Sequence, residues 1–152
     1  MNAEAALDHL RAHCREMPPV AAMQVEVDGY AAGILRLTAP LAANVNDKGT
    51  AFGGSLTSLM TVAGWGRVTL GLEMAGETAE VYVADSSIRY LAPLRADLCA
   101  EAAFAPGESF ETFLSTLRQR GRARIQVEAV VRLPEGGAAT TLSGRFVAIA
   151  KR

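Results

Sequence analysis

The stretch GGSLTSLMTVAGWGRVTLGLEM, residues 53–74, decides the fold of this 152-residue chain. Its apolar side chains fall all round a helical wheel, so the pattern predicts a helix over about 54–74 that the rest of the chain covers on most sides. The overlapping run 49–72 contains six Ser or Thr residues and several Gly. Such a composition suits a helix enclosed by protein better than a lone helix facing lipid, and no membrane span is predicted.

The segments around this helix alternate apolar and polar residues, as half-buried strands do. One strand runs from Met23 to Asp28, and Gly29 turns the chain into a second strand that ends before Pro40. An amphipathic helix over 3–16 stops before Pro18 and Pro19. Four further strands are predicted at about 79–91, 97–104, 122–133 and 139–150, with a short helix over 110–120 between the second and third of them.

This element order predicts the α+β class, with an antiparallel sheet of about six strands wrapped round one long central helix. No linker or repeat interrupts the chain, so residues 1–152 are expected to form a single domain. The net charge of -1 gives no general reason to expect nucleic acid or an acidic membrane as a partner. Cys14 and Cys99 lack metal spacing and the N-terminus lacks a signal peptide, which favours reduced thiols and a cytoplasmic protein.

Two segments resemble a known family. NDKGTAFGGSL, residues 46–56, is similar to the loop that enters the central helix of hotdog-fold thioesterases, and IRYLAP, residues 88–93, is similar to the end of their third strand. The nearest resemblance is to a bacterial group of thioesterases, some of them fused behind an N-acetyltransferase domain. It implies a hotdog fold that hydrolyses an acyl thioester to acid and thiol, with coenzyme A or phosphopantetheine as part of the substrate and no separate cofactor.

The resemblance and the all-round apolar helix together predict a homodimer, with a tetramer as the larger alternative, because hotdog subunits usually join their sheets edge to edge. The chain also departs from the family pattern. Many members have His where this chain has Phe52, and an acidic residue where it has Thr61. The only histidines, His9 and His13, lie in the N-terminal segment, and no carboxylate or cysteine at matching spacing completes a metal site there.

The glycines at the start of the helix are the candidates for stabilising an oxyanion. A helix N-terminus leaves backbone N–H groups unpaired and carries partial positive charge. Gly53 and Gly54 let a substrate carbonyl approach those groups closely. The alternative is that the two glycines form only a tight entry turn.

The candidate base lies on the predicted strand 79–91. Strict alternation places Asp85 and Ser87 on one face, so Asp85 is predicted to activate water and Ser87 to hold it. A structural ion pair or a subunit contact is the alternative for Asp85. In the entry loop, Asn46 matches a family position that orients substrate or water, and Asp47 is the second candidate base. The alternatives are an Asx-turn for Asn46 and a solvated charge for Asp47.

Phe52 and Thr61 are counted with the substrate-binding residues, although a threonine in the middle of a helix often bonds its own backbone. Arginine suits phosphate, so Arg120, Arg122 and Arg124 are predicted to bind the nucleotide of coenzyme A or an acidic carrier protein. A solvated helix end and strand face is the alternative. The leading function is metal-independent thioester hydrolysis. A non-catalytic acyl-ligand or carrier-binding module is the alternative, and a structural protein that reuses the fold is the third.

Overall fold

The computed structural model describes residues 1–151, which form six strands, four α-helices and one 3-10 turn. The helices are α1 Ala3–Glu16, α2 Pro18–Ala22, α3 Gly53–Met74 and α4 Phe110–Arg120, and the 3-10 turn is Leu41–Ala43. The strands are β1 Glu26–Ala31, β2 Ile34–Ala39, β3 Ala79–Tyr90, β4 Leu98–Phe104, β5 Arg122–Arg132 and β6 Ala138–Ala150.

The six strands form one sheet in the order β1-β2-β4-β5-β6-β3, and every neighbouring pair is antiparallel. Helix α3 packs against β2 to β6 on one face of this sheet. An antiparallel sheet wrapped round one long helix is the hotdog arrangement, and the predicted α+β class is confirmed. Strand β3 is an edge of the sheet, a position that matters for assembly.

The core follows from the alternation along the strands. On β5 the side chains at every second position are buried, while those between them face outward. The buried row lies under α3, and close packing there explains a glycine in the helix. A Cβ on Gly64 would lie 2.6 Å from Cζ of Phe146, so only glycine fits against this ring.

Helix α1 covers the other side of α3. Its apolar stripe, Leu7, Leu10 and Cys14, is buried, and burial raises the pKa of the Cys14 thiol above its ordinary value. A Cβ on Gly66 of α3 would lie 2.9 Å from Leu35 and 3.3 Å from Leu10, so this glycine lets α1 and β2 approach the helix together. The long helix is therefore enclosed from two sides.

Arg67 is a charged residue in the middle of this core, and only 7 % of it is exposed. Its Nε donates to the Gly33 carbonyl at 2.9 Å, in the turn between β1 and β2. The guanidinium lies over the rings of Phe104 and Tyr30, at 4.1 Å and 4.8 Å from their centroids. Burial lowers the pKa of Arg67 below its ordinary value, and the two rings supply cation–π stabilisation in place of a carboxylate.

Two elements differ from the sequence prediction. Residues Pro18–Ala22 form helix α2 instead of ending helical structure, because proline is well tolerated in the first turn of a helix, where its missing N–H costs nothing. Strand β1 runs from Glu26 to Ala31, and the turn falls at Ala32 and Gly33, which both have positive φ. Gly29 is instead placed at a register shift inside the strand.

Among residues 1–151, none of the helices combines the length and the apolar character that a membrane crossing requires.

Candidate active site

The entry to helix α3 is held by a short closed loop. Val45 and Ala51 form a β-bridge, and the N–H groups of Ala51 and Phe52 donate to the carbonyls of Leu94 and Asn44 at 2.8 Å and 2.7 Å. Inside the loop, Asn46 uses its whole amide. Its oxygen accepts from the Lys48 and Thr50 N–H groups, and its nitrogen donates to the Thr50 hydroxyl. Asn46 therefore forms the Asx-turn that was its alternative interpretation.

Asp47 lies at the tip of this loop. Its side chain is 83 % exposed and forms an ion pair with the neighbouring Lys48 at 2.8 Å. It lies six residues before Gly53, in the loop that leads into α3, and its exposure also fits the solvated charge that was its alternative interpretation.

The first amides of α3 have no partner within the described chain. Phe52 is the N-cap residue, with extended backbone and no side-chain hydrogen bond that caps the helix. The first intrahelical bond runs from the Leu56 N–H to the Phe52 carbonyl at 3.0 Å. The N–H groups of Gly53, Gly54 and Ser55 are thus free at the positive end of a 22-residue helix. This is the geometry that an oxyanion needs.

Phe52 lies against this helix end. A Cβ on Gly54 would lie 2.5 Å from Cε2 of the Phe52 ring, so the ring occupies the space beside Gly54 where a side chain would stand. The ring remains 54 % exposed. Phe52 therefore gives the helix entry an apolar wall open to the outside.

Tyr90, at the end of β3, closes the other side of the entry. Its hydroxyl lies 2.5 Å from the Thr57 hydroxyl and donates to the Gly53 carbonyl at 3.2 Å. Thr61, one turn further along α3, donates to the Thr57 carbonyl at 2.8 Å, the backbone bond that was its alternative interpretation. Tyr90 and Thr57 were not among the predicted site residues. Strict alternation along β3 places Tyr90 on the face opposite Asp85, and this is the signal in the sequence that indicates its position.

Asp85 and Ser87 share one face of β3, as predicted, but strict alternation also places them on the face of Val81 and Val83, and that part of the prediction is wrong. The register with β6 shifts between Val83 and Asp85, a bulge that turns Asp85 to the outer face, opposite Arg145. Before the bulge, Val81 and Val83 face the helix side. After it, Ser86, Ile88 and Tyr90 face that side, opposite Gly144, Leu142 and Thr140 of β6.

Asp85 therefore lies on the outer face, where Nη2 of Arg145 donates to its carboxylate and its side chain is 59 % exposed. Ser87 lies on the same outer face, opposite Ser143. Within one subunit the fold does not bring these two residues to the helix entry with Gly53 and Gly54.

The arginine cluster lies at the end of α4 and the start of β5. Arg118 forms an ion pair with Glu77 at 2.5 Å, so its guanidinium has a structural partner within the chain. Arg120, Arg122 and Arg124 are exposed, and none of them takes part in an ion pair formed within residues 1–151. Arg122 and Arg124 face the outer side of the sheet, two residues apart on one strand.

The fold brings together a polar cluster around His9 and His13, where no metal site is predicted from the sequence. His9 and His13 on α1 meet Glu73 in the last turn of α3, and the Nδ1 atom of His9 lies 2.8 Å from Oε1 of Glu73. A cavity of about 700 Å³ adjoins these three residues and reaches Trp65 and Tyr82. No local pattern in the sequence indicates this contact, because His13 and Glu73 are far apart along the chain.

The fold and the glycine pair at a free helix N-terminus agree with the resemblance of residues 46–56 and 88–93 to hotdog-fold thioesterases. A protein-family model described as "Putative thioesterase (yiiD_Cterm)" matches residues 8–150, and the chain belongs to that family. That some members of this family are fused behind an N-acetyltransferase domain stays a prediction.

Solved structures agree with this assignment. A protein of unknown function from Chlorobaculum tepidum is 27% identical with a TM-score of 0.91, and the match covers 98% of this chain and 97% of that one. A structure titled as a putative thioesterase from Shewanella oneidensis is 28% identical with a TM-score of 0.87, covering 96% and 99%. A thioesterase from Haemophilus influenzae, 18% identical with a TM-score of 0.71 over 95% and 90%, shares the fold.

Proposed function

We propose that this protein hydrolyses an acyl thioester to a free acid and a thiol. The observation that carries the proposal is the set of unpaired amides of Gly53, Gly54 and Ser55 at the start of α3. Attack of water on a thioester carbonyl places negative charge on its oxygen. Donors aimed at that oxygen stabilise the charge, and the loss of one such donor costs about 100- to 1000-fold in rate.

The groups around the amides support the same chemistry. Phe52 supplies apolar surface beside Gly54, and the hydroxyl groups of Tyr90 and Thr57 hold the end of β3 against the first turn of the helix. The carbonyl oxygen would enter between these walls. No step in this proposal uses a metal ion.

The water-activating group is assigned to the loop acid. Asp47 lies on the loop that leads into the helix entry and keeps a largely exposed carboxylate. The sequence alone favours Asp85 as the base, but its position on the outer face beside Arg145 favours a structural ion pair. Asn46 supports the reaction indirectly by fixing the loop.

The proposal includes a homodimer. Strand β3 is a sheet edge, and Val83, Tyr90 and Leu91 expose large apolar side chains along it and just beyond it. Val62 and Trp65 of α3 are also only partly covered on this side. Antiparallel pairing of two β3 strands would cover these groups. It would also bring the helix entry at Tyr90 of one subunit towards the cavity at Tyr82 of the other, where an acyl chain could lie.

Coenzyme A is the proposed carrier, because Arg120, Arg122 and Arg124 present free guanidinium groups for phosphate. The proposed location is the cytoplasm, and both cysteines, Cys14 and Cys99, are free thiols. Coenzyme A enters as part of the substrate and no further cofactor is proposed.

One observation favours a second candidate, a non-catalytic acyl-ligand or carrier-binding module. The positions where many relatives carry His and an acid hold Phe52 and Thr61, and the Thr61 hydroxyl bonds its own helix. A turnover assay with acyl-coenzyme A of several chain lengths, following free thiol, separates the two. Release of thiol that is lost in a Gly54→Val variant supports hydrolysis, because the larger side chain displaces Phe52 and blocks the amides. Binding of acyl-coenzyme A without thiol release would establish the module instead.

A further inference from the structure

Two helices distant in sequence bring three metal-binding side chains together. His9 and His13 stand one turn apart on one face of α1, and Glu73 comes from the last turn of α3. One ligand atom from each residue, two imidazole nitrogens and a carboxylate oxygen, can be chosen so that all three lie within 4.8 Å of one another. Histidines at positions i and i+4 of a helix are a recurrent way to present two nitrogens to one ion.

The spacing of these atoms suits a transition-metal ion. Zinc binds imidazole nitrogen and carboxylate oxygen at about 2.0–2.2 Å, so the ligand atoms of a tetrahedral site lie about 3.4 Å apart. The His9 Nδ1 atom and the Glu73 Oε1 atom are 2.8 Å apart, slightly closer than that. Small side-chain rotations would therefore bring the three ligands to the required distance without a change in the helices.

The surroundings hold the ligands in place. The centroid of the His13 ring lies 4.6 Å from that of the His9 ring. The His13 ring also meets the Trp65 ring edge-on, with 6.0 Å between the two centroids. Glu73 is largely covered, with 18% of its side chain exposed. Side chains held by their neighbours lose little conformational entropy when they bind an ion, and this applies to His13 and Glu73 more than to His9, whose side chain is 50% exposed.

The cluster opens into the cavity of about 700 Å³ that His9, His13 and Glu73 all line. Three protein ligands with an open position leave room for water or another small ligand on the ion, unlike a closed structural site. The other charged side chains that line the cavity are those of Glu77, Glu80 and Lys151, and Glu77 is paired with Arg118. Cys14, next to His13 in sequence, is buried in the core and does not join the cluster.

We propose that His9, His13 and Glu73 bind a divalent transition-metal ion of the zinc type, with one coordination position open to this cavity. The donor set of two imidazoles and one carboxylate selects such ions over calcium or magnesium, which prefer oxygen ligands alone. The packing of α1 on α3 brings the Glu73 carboxylate to the two histidines, a contact that the sequence alone does not predict.

The test uses the full chain freed of any polyhistidine tag, because His9 and His13 are its only histidines. Cobalt(II) is titrated into the protein and its visible d–d absorption is followed, with zinc then added in competition. We expect one cobalt per chain, with the intense band of a low-coordinate site, and full displacement by zinc. Zinc should also raise the melting temperature, since the ion joins α1 to α3.

Variants separate this site from chance binding to a histidine pair. Glu73→Gln and His13→Ala should each weaken cobalt binding by more than about 10- to 100-fold, the cost of losing even an outer-shell partner. Glu77 lines the same cavity without belonging to the cluster, so the Glu77→Gln variant should bind cobalt like the parent chain. Circular dichroism confirms that each variant is folded. The proposal is overturned if no band forms at stoichiometric cobalt, or if Glu73→Gln binds as tightly as the parent.

Discussion

The hydroxyl of Tyr90 lies 2.5 Å from the hydroxyl of Thr57, so the last residue of the edge strand is bonded to the fifth residue of the central helix. The same tyrosine also reaches the carbonyl of Gly53 at 3.2 Å. The position of the helix entry is therefore tied to the position of β3. Any change in the edge of the sheet is passed directly to the free amides.

Tyr90→Phe should lower turnover while the fold is kept. The ring remains against Gly53, but the two hydrogen bonds that fix the entry are lost, and a neutral hydrogen bond contributes about 0.5–1.5 kcal/mol. We expect kcat to fall by about 10-fold, the kinetic equivalent of about 1.4 kcal/mol. Steady-state kinetics with acyl-coenzyme A measures this. Tyr30→Phe, which removes a hydroxyl far from the helix entry, is the control, and equal losses in both variants would contradict the assignment.

Asp47→Asn should remove most of the turnover, because removal of a general base costs about 100- to 10,000-fold. Asp85→Asn should keep turnover close to that of the parent and change stability by less than about 1 kcal/mol, as expected for an exposed ion pair. Arg145→Gln serves as the matched control for the pair. If Asp85→Asn loses activity and Asp47→Asn does not, the base is Asp85, as the sequence alone predicts.

Arg122→Ala and Arg124→Ala should raise KM for acyl-coenzyme A with little change in kcat, since remote binding is lost equally from substrate and transition state. Acyl-pantetheine, which lacks the nucleotide, should be unaffected. The difference between the substrates should shrink as salt is added, because exposed charges are screened over about 8 Å at physiological ionic strength. Arg15→Ala at the end of α1 is the control. Equal losses on both substrates would mean that the arginines support the fold.

Val83→Lys should convert the protein into a monomer of low activity. Val83 is 43 % exposed at the middle of the edge strand, and lysine on an edge opposes strand pairing. Sedimentation equilibrium at micromolar concentration should show a dimer for the parent and a monomer for the variant. Ile34→Lys, at a similarly exposed position on β2, should leave the dimer intact. A monomeric parent chain would contradict the proposed assembly.

Glu101 should stabilise the protein at neutral pH and lose this effect in acid. The carboxylate accepts hydrogen bonds from Arg36 at 2.5 Å and Arg132 at 2.7 Å, and these bonds hold the pKa of Glu101 below its ordinary value. The contribution of Glu101 to the free energy of unfolding is complete above the ordinary glutamate pKa. It disappears as the pH falls through the lower pKa that Glu101 has in the folded state.

Glu101→Gln should therefore be about 1 kcal/mol less stable than the parent at pH 7. The two proteins should converge as the pH falls below the folded-state pKa of Glu101. Urea unfolding at a series of pH values tests this, with Glu128→Gln on the same sheet face as the control. A stability difference that is independent of pH would show that the charge of Glu101 is not its cause.

The sequence predicts the elements of this fold well where a pattern is local. The apolar run before Met74 and the alternation along β5 each follow from one element's own residues, and the structure places α3 and β5 accordingly. The bulge near Ala84 is different, because it depends on how β3 pairs with β6, and it reverses the side on which Asp85 lies. A period-two pattern assumes an unbroken ladder and cannot reveal such a shift.

The arrangement of the candidate site follows from the sequence only in part, for the same reason. Gly53 and Gly54 are recognisable from residue type and from their place before an apolar helix, and the structure leaves their amides free. The meeting of His13 with Glu73 depends on the packing of α1 across α3, which no spacing in the sequence encodes. The burial of Arg67 likewise depends on tertiary packing, since the two aromatic rings that lie against its guanidinium come from β1 and β4.

The open edge of β3 has a consequence for how the protein is made. An isolated subunit presents an unpaired strand with apolar side chains beside it, and such edges pair with whatever strand they meet. A folded subunit that has not yet met a partner would therefore be open to pairing with strands of other proteins, most of all in mixtures with unfolded chains. During refolding, strong dilution would delay the meeting of like subunits, while a high concentration would favour aggregation of unfolded chains, so the recovery of native protein should pass through an optimum in subunit concentration.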